Sequence, residues 1–433
     1  MRLALLATDL FRRPTLRGGL LALSAASALA VFLLAVVGAS QATASPRTEY
    51  DIDYRVAFKP AEGFAEVSLT HTPETGRVTA MTLRPDPARH SNVRAEGGQL
   101  TQRDGRWQWI PDPRRASTLR WRFKVSHERR GGGFDARMTR DWALFRGDDL
   151  VPAISARTTR GSDSSARLYF DLPPGWGNAD TPYVHTRDRK GFVVVNPERR
   201  FDRPVGWMIA GVVGTRREFI GDFEVSIAGP VGYDVRRNDA LAFINLVAPE
   251  MRKAFGDLPS KVLIVSAGDP MWRGGLSGPR SLFLHADRPL ISENGSSTLV
   301  HELVHVVTRI RGADGDDWIA EGSAEFYSIE LLNRAGLLSD ARADRAFEWM
   351  ADHGRRVRTL TGDGSSGPKT ARAVGLFREL DREIRERTND ERSLDDVMQR
   401  LIDVREVSRE DLAEVVAEVS GRPSNVLKSP LLQ

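Results

Sequence analysis

The sequence contains no cysteine. A disulfide scaffold, a thiolate-held metal and a thiol nucleophile are all excluded, and any metal site falls to histidine and carboxylate. Tyrosine is scarce: the chain has six, and none follows Tyr327. Histidine is scarce too, at eight, so two of them within five positions stand out. Net charge nearly vanishes once one segment is set aside. Residues 1–44 carry four arginines against Asp9, a net +3 of the formal +4. The remainder is close to neutral, which leaves no electrostatic case for nucleic acid. No repeat of fixed period runs through the chain.

What is present is ordinary in bulk. The 433 residues are 41% hydrophobic and 28% charged, enough for two or three domains with real cores. Residues 1–44 read as a signal peptide or N-terminal membrane anchor. Arg12, Arg13 and Arg17 precede an apolar run from Gly19 to about Ala39, and Ala42-Thr43-Ala44 offers an A-x-A cleavage pattern. The run is long enough to span a bilayer, so cleavage and retention are both open. Either places the bulk of the chain outside the cytoplasm, in a bacterial periplasm or anchored to the membrane facing it.

Residues 45–230 read as a β-rich N-terminal domain. Glu49–Phe58 and Arg120–Val125 alternate with period two, and turn clusters at Pro111-Asp-Pro and Gly131-Gly-Gly separate such runs. A boundary is expected near Gly229-Pro-Val-Gly-Tyr233. Residues 231–433 then mix strand and helix: a helix from Asp239 to about Phe255, strands at Lys261–Ser266 and Ser281–His285, and charged helices after Gly336. The expected class is α+β.

One stretch carries chemistry. Thr298-Leu-Val-His301-Glu302-Leu-Val-His305 contains H-E-x-x-H. On a helix, His301 and His305 lie one turn apart on the same face and can share an ion. Zinc in catalytic sites takes three protein ligands and keeps one position open. Glu302 lies about 100° round the helix, beside that position, and suits a general base for a zinc-activated water. The third ligand should come from a second helix. Glu321 and Glu325 are both offered there, one turn apart, with Gly336 as the stop.

Asp317-Trp318-Ile-Ala-Glu321-Gly322-Ser-Ala-Glu325-Phe resembles the W-L-x-E-G-F-A-E-Y segment of the gluzincin metallopeptidases, in particular aminopeptidase N and the glycyl aminopeptidases. The resemblance implies a thermolysin-like catalytic domain with C-terminal helices and one zinc per chain. It makes Glu321 the third ligand and Glu325 a carboxylate that orients a zinc histidine. Fifteen residues separate His305 from Glu321, fewer than in aminopeptidase N; nineteen separate it from Glu325, which fits thermolysin-type spacing. Glu325 therefore stays open as the alternative ligand.

Two departures bear on function. The family's substrate strand, matched here by Gly275, Leu276 and Ser277, carries a glutamate that holds the substrate's free amino group; Ser277 stands in its place. The family's oxyanion tyrosine has no counterpart, because no tyrosine follows Tyr327. Arg372, at roughly that place, and His353 are the candidate donors. The expected activity is an exported zinc-dependent metallopeptidase acting on peptides or proteins, and the alternative is a zinc-binding envelope scaffold with little or no turnover. The oligomeric state is not encoded in any pattern of the sequence.

Overall fold

In the computed structural model, the described residues are 48–196, 201–362 and 364–433. The expected leader at residues 1–44 lies outside them. Residues 48–433 form one compact unit, and among the described residues no helix is long and apolar enough to cross a membrane.

Alternation makes the first layers. Along Thr48–Lys59, Tyr50, Ile52, Tyr54, Val56 and Phe58 are buried, which is the period of a pleated strand with one face inward. This strand pairs in parallel with Ser162–Asp171 and antiparallel with Phe64–Pro73, at the centre of a seven-stranded sheet. A four-stranded sheet built from Ala153–Thr158, Val78–Arg84, Arg106–Ile110 and Gln99–Arg103 shares its core: Met81, Leu83, Trp107 and Trp109 pack in one cluster with Trp121 and Phe123.

A third sheet is buried on both faces. Its strands Trp142–Arg146 and Trp207–Gly211 pair antiparallel. Ala143, Phe145, Met208 and Ala210 belong to the core just described. Trp142, Leu144, Trp207 and Ile209 face the other way, onto Leu263, Val265 and Phe283.

Those last residues belong to the sheet that positions the site. Its order is Val213–Ile220, Phe223–Pro230, Lys261–Ala267, Ser281–His285, Gly275–Gly278. The three central strands run parallel, and Gly275–Gly278 closes the edge antiparallel. Helix α1 (Arg237–Phe255) connects Phe223–Pro230 to its parallel neighbour, as a parallel pair requires a crossover. Phe223–Pro230 thus pairs on the site side of the expected boundary near Gly229. Val262, Ile264, Leu282 and Leu284 face the helices, and Leu263, Val265 and Phe283 face the third sheet.

Six further helices follow: α2 (Thr298–Thr308), α3 (Asp317–Arg334), α4 (Asp340–Gly354), α5 (Pro368–Thr388), α6 (Leu394–Val404) and α7 (Arg409–Ser420). Helix α2 is apolar nearly all round, with Leu299, Val300, Leu303, Val304 and Val306 buried, so it can form only inside the core. The expected α+β class holds: β-rich first, helices last. The stop expected at Gly336 is there, at φ +71° just past the end of α3.

Candidate metal centre

Helix α2 starts where the Ser297 hydroxyl accepts a hydrogen bond from the Val300 N–H at 3.3 Å, a side-chain N-cap that meets one of the helix's unpaired donors. One turn in, His301 and His305 stand on the same face with Nε2 atoms 3.1 Å apart. Helix α3 crosses this face. Glu321 reaches over so that Oε2 lies 3.4 Å from His301 Nε2 and Oε1 lies 3.4 Å from His305 Nε2. One turn along α3, Glu325 Oε2 sits 2.9 Å from His301 Nδ1.

Distances test whether these residues fit zinc. Ligands about 2.0–2.1 Å from a tetrahedral ion lie about 3.3–3.4 Å from one another. His301 Nε2 and His305 Nε2 are 3.1 Å apart, and each lies 3.4 Å from a different Glu321 oxygen, close to that distance; taking one atom from each residue, the three lie within 4.8 Å of one another. Two imidazoles and a carboxylate also form the donor set of catalytic zinc rather than of magnesium or calcium. Glu325 lies behind His301, on the far ring nitrogen. There it accepts the Nδ1 proton and leaves Nε2 as the free lone pair, the outer partnership that zinc-binding histidines need.

The electrostatics ask for a cation. Burial alone would lower the pKa of His301, but hydrogen bonds to Glu321 and Glu325 outweigh it and push the imidazole up to about 10. Burial would raise Glu321, and the two histidines instead hold it well below the usual carboxylate range. For Glu325 the His301 and Ser296 contacts likewise override burial and lower it.

Glu302 has a different environment. It is buried, and desolvation raises its pKa; His301 and His305 pull down, Glu321 adds to the rise, and the Ser277 hydroxyl pulls down. The result is a carboxyl above its ordinary value, as a proton acceptor working near neutrality needs. The edge strand lies directly over it. A Cβ on Gly275 would stand 2.7 Å from Glu302 Cγ and 2.8 Å from Thr298 Cγ2. Only glycine allows this approach of backbone to carboxylate. Leu276 turns its side chain the other way, into the cluster between the sheets, so Gly275 and Ser277 are the members of the expected trio that meet the site.

The oxyanion candidates stand apart. His353 is exposed near the end of α4 and stacks on Trp349 with ring centroids 4.7 Å apart. Arg372 lies in the second turn of α5 with its backbone against Gly354, and its Nε is buried without a hydrogen-bond partner. Among the described residues, neither makes a polar contact with the histidines or glutamates of the site. Tyr327 is fully buried and donates to Asp395 Oδ1 at 2.8 Å, a packing role. Ser296, just before the helix, also meets Glu325 through its side chain. Its only signal was its place just before the helix.

No protein-family model matches the chain, and no curated protein matches it by sequence. Solved structures do match in fold. An aminopeptidase N family protein from Idiomarina loihiensis aligns at TM-score 0.61 and 14% identity, over 82% of this chain and 70% of its own. Aminopeptidase A from Legionella pneumophila, in complex with aspartic acid, aligns at 0.53 and 11%, over 90% of this chain and half of its own. A variant of an M1 zinc metallopeptidase from Deinococcus radiodurans aligns at 0.50 and 16%, over 89% and 93%. The resemblance expected from the Glu321 segment therefore extends through the architecture, and the chain has the fold of the M1 zinc metallopeptidases.

Proposed function

We propose that this chain is an exported zinc-dependent metallopeptidase. The observation that carries the reading is the cluster of His301 Nε2, His305 Nε2 and the Glu321 carboxylate, the two nitrogens 3.1 Å apart and each 3.4 Å from a different carboxylate oxygen, with buried Glu302 beside it under Gly275. His301, His305 and Glu321 hold one zinc ion, and Glu325 fixes the ring of His301. When bound, zinc supplies a Lewis acid that activates water and polarises a carbonyl.

The chain's own residues do the rest. Glu302 takes the proton of the attacking water and later delivers it to the departing amine nitrogen. The edge strand Gly275–Gly278 lines an extended peptide above the site by backbone pairing. Ser277, in place of a carboxylate, leaves no anchor for a free amino terminus, which favours peptides without one. Two of the three solved structures are named as an aminopeptidase N family protein and an aminopeptidase A; the proposed activity differs from that of an aminopeptidase in needing no free amino terminus. The leader in residues 1–44 supports work in a bacterial periplasm, free or held at the membrane.

The test is metal content and cleavage of end-blocked peptides on residues 45–433, beside Glu302→Gln. One zinc per chain in both proteins, with cleavage reduced about 10²–10⁴-fold in the variant, is the expected result. Zinc binding with no cleavage of any peptide would replace the enzyme by a zinc-binding scaffold, which the lack of a tyrosine after Tyr327 favours. Absence of stoichiometric zinc would overturn both.

A further inference from the structure

The edge strand points from the metal centre into open space. Gly275 lies against Glu302, and the strand runs on from there to Gly278. At that end a cavity of about 370 Å³ opens between the third sheet and the end of α2. Ser277, Gly278 and Pro279 line it on the strand side, His305 and Ile310 on the α2 side, and Arg146 on the third sheet. His305 belongs to the metal centre and Ser277 meets Glu302, so the cavity adjoins the site directly. Its volume is that of a small-ligand cleft.

Spacing decides what the cavity can take. An extended chain rises about 3.3 Å per residue, so Gly275 to Gly278 spans about 10 Å. A peptide paired along the strand, with its scissile bond at the metal, therefore carries the second and third residues beyond that bond into the cavity. The strand also stops there. Pro279 has no N–H to donate and is exposed, so pairing ends and the peptide's side chains enter the open volume. Neither Ser277 nor Gly278 carries a side chain long enough to close this end. A Cβ on Gly278 would touch the Trp207 indole, 3.3 Å from Cδ1; glycine leaves that strip of wall as bare backbone.

We propose that this cavity is the subsite for the two or three residues on the amino side of the scissile bond, which makes the enzyme an endopeptidase that needs an extended chain on that side. The inference rests on the peptidase reading, in which the amino end of the peptide lies towards Ser277, and it names the substrate class. The substrate is an internal segment of a protein that can lie extended along an edge strand, not a short peptide cut at its first residue. Binding energy from residues remote from the bond is spent on the chemical step, so chain length on the amino side sets the rate.

The experiment uses the full chain purified with zinc and blocked, neutral peptides that share one scissile bond, located by product mass. They are lengthened one residue at a time on the amino side or on the carboxyl side. The expected result is a kcat/KM that rises about 10–100-fold over the first two or three amino-side residues, the worth of about two backbone hydrogen bonds, and then levels off. In Pro279→Trp, which adds bulk at the cavity from an exposed position, that gain falls towards one. Zinc content and a melting curve show that the variant is folded, and Arg311→Trp, at a second exposed position in the wall, repeats the test. No gain with length, a gain on the carboxyl side alone, or a gain that both folded variants keep would overturn the proposal. Binding of a fluorescent blocked peptide to Glu302→Gln separates the two readings. Binding that weakens on amino-side truncation and in Pro279→Trp, without cleavage by the unsubstituted chain, would keep the subsite and remove the peptidase. Cleavage at equal rates for all lengths would do the reverse.

Discussion

A Cβ on Gly275 would lie 2.7 Å from Cγ of Glu302, so the edge strand and the buried carboxylate are fitted to each other to within one methyl group. Gly275→Ala must move one of them. A displacement of about 1 Å in a catalytic group costs about 10²-fold in rate. The expected variant binds zinc as the unsubstituted chain does and cleaves peptides about 10²-fold more slowly. Metal analysis alongside kcat/KM checks this, and unchanged kinetics would detach the edge strand from the chemistry.

Glu321 and Glu325 are one turn apart yet are expected to act differently. Glu321 faces both Nε2 atoms, whereas of the two rings Glu325 touches that of His301 alone, at Nδ1. Glu321→Gln should abolish retention of zinc through chelator dialysis. Glu325→Gln should weaken zinc affinity about 10–100-fold, as loss of an outer partner does. Competition titration with a coloured chelator reads both, and the opposite ranking would make Glu325 the ligand.

Helices α3 and α5 meet at Gly322. A Cβ there would stand 2.5 Å from Ala373 Cβ and 3.1 Å from a ring carbon of Phe377. Gly322→Ala overpacks this crossing and should destabilise the fold by about 1–3 kcal/mol. Ala373→Gly in the same chain should restore part of that. Urea unfolding of the two single variants and the double gives the coupling, and strict additivity would refute the contact.

His71 and His90 make the β-rich half sensitive to acid. Burial, then Arg77, lowers His71 from 6.5 to about 4; its Nε2 accepts the Val78 N–H at 3.0 Å. Burial lowers His90 as well, against the bonds to Asp86 and Asp149. A base whose folded pKa lies below its unfolded one binds fewer protons when folded, so stability rises with pH across the interval. The contribution is present above about 6.5 and is lost as pH falls towards about 4. Melting curves of His71→Gln should therefore lie below those of the unsubstituted chain at pH 7.5 and converge on them near pH 4.5. A gap that stays constant with pH would argue against this.

Much of this was legible in the sequence for identifiable reasons. Two histidines one turn apart in an otherwise apolar run stand out because burial makes polar residues costly there. The strand Ser281–His285 was legible at its observed bounds, and the charged segments after Gly336 as helices, through periodicity and, for α6 and α7, Ser caps. Ser393 and Ser408 both form capping boxes. Phe223–Pro230 was legible as part of a β-rich region but not in its pairing, since register partners such as Lys261 lie beyond a whole helix. Gly275–Gly278 is four residues with two glycines, too short for any period, and was reached through family likeness. The cavity at the end of α2 was not legible. Arg146, Ser277 and Ile310 share no motif, and only the folded chain brings them together.

The sheet made by Trp142–Arg146 and Trp207–Gly211 feeds alternate side chains into two different cores. A strand cannot rotate one set without dragging the other, so the two cores cannot loosen separately. The molecule should therefore melt as one calorimetric unit, with the van't Hoff and calorimetric enthalpies equal. Amide protons of the metal-site sheet should exchange at the same global opening free energy as those of Thr48–Lys59.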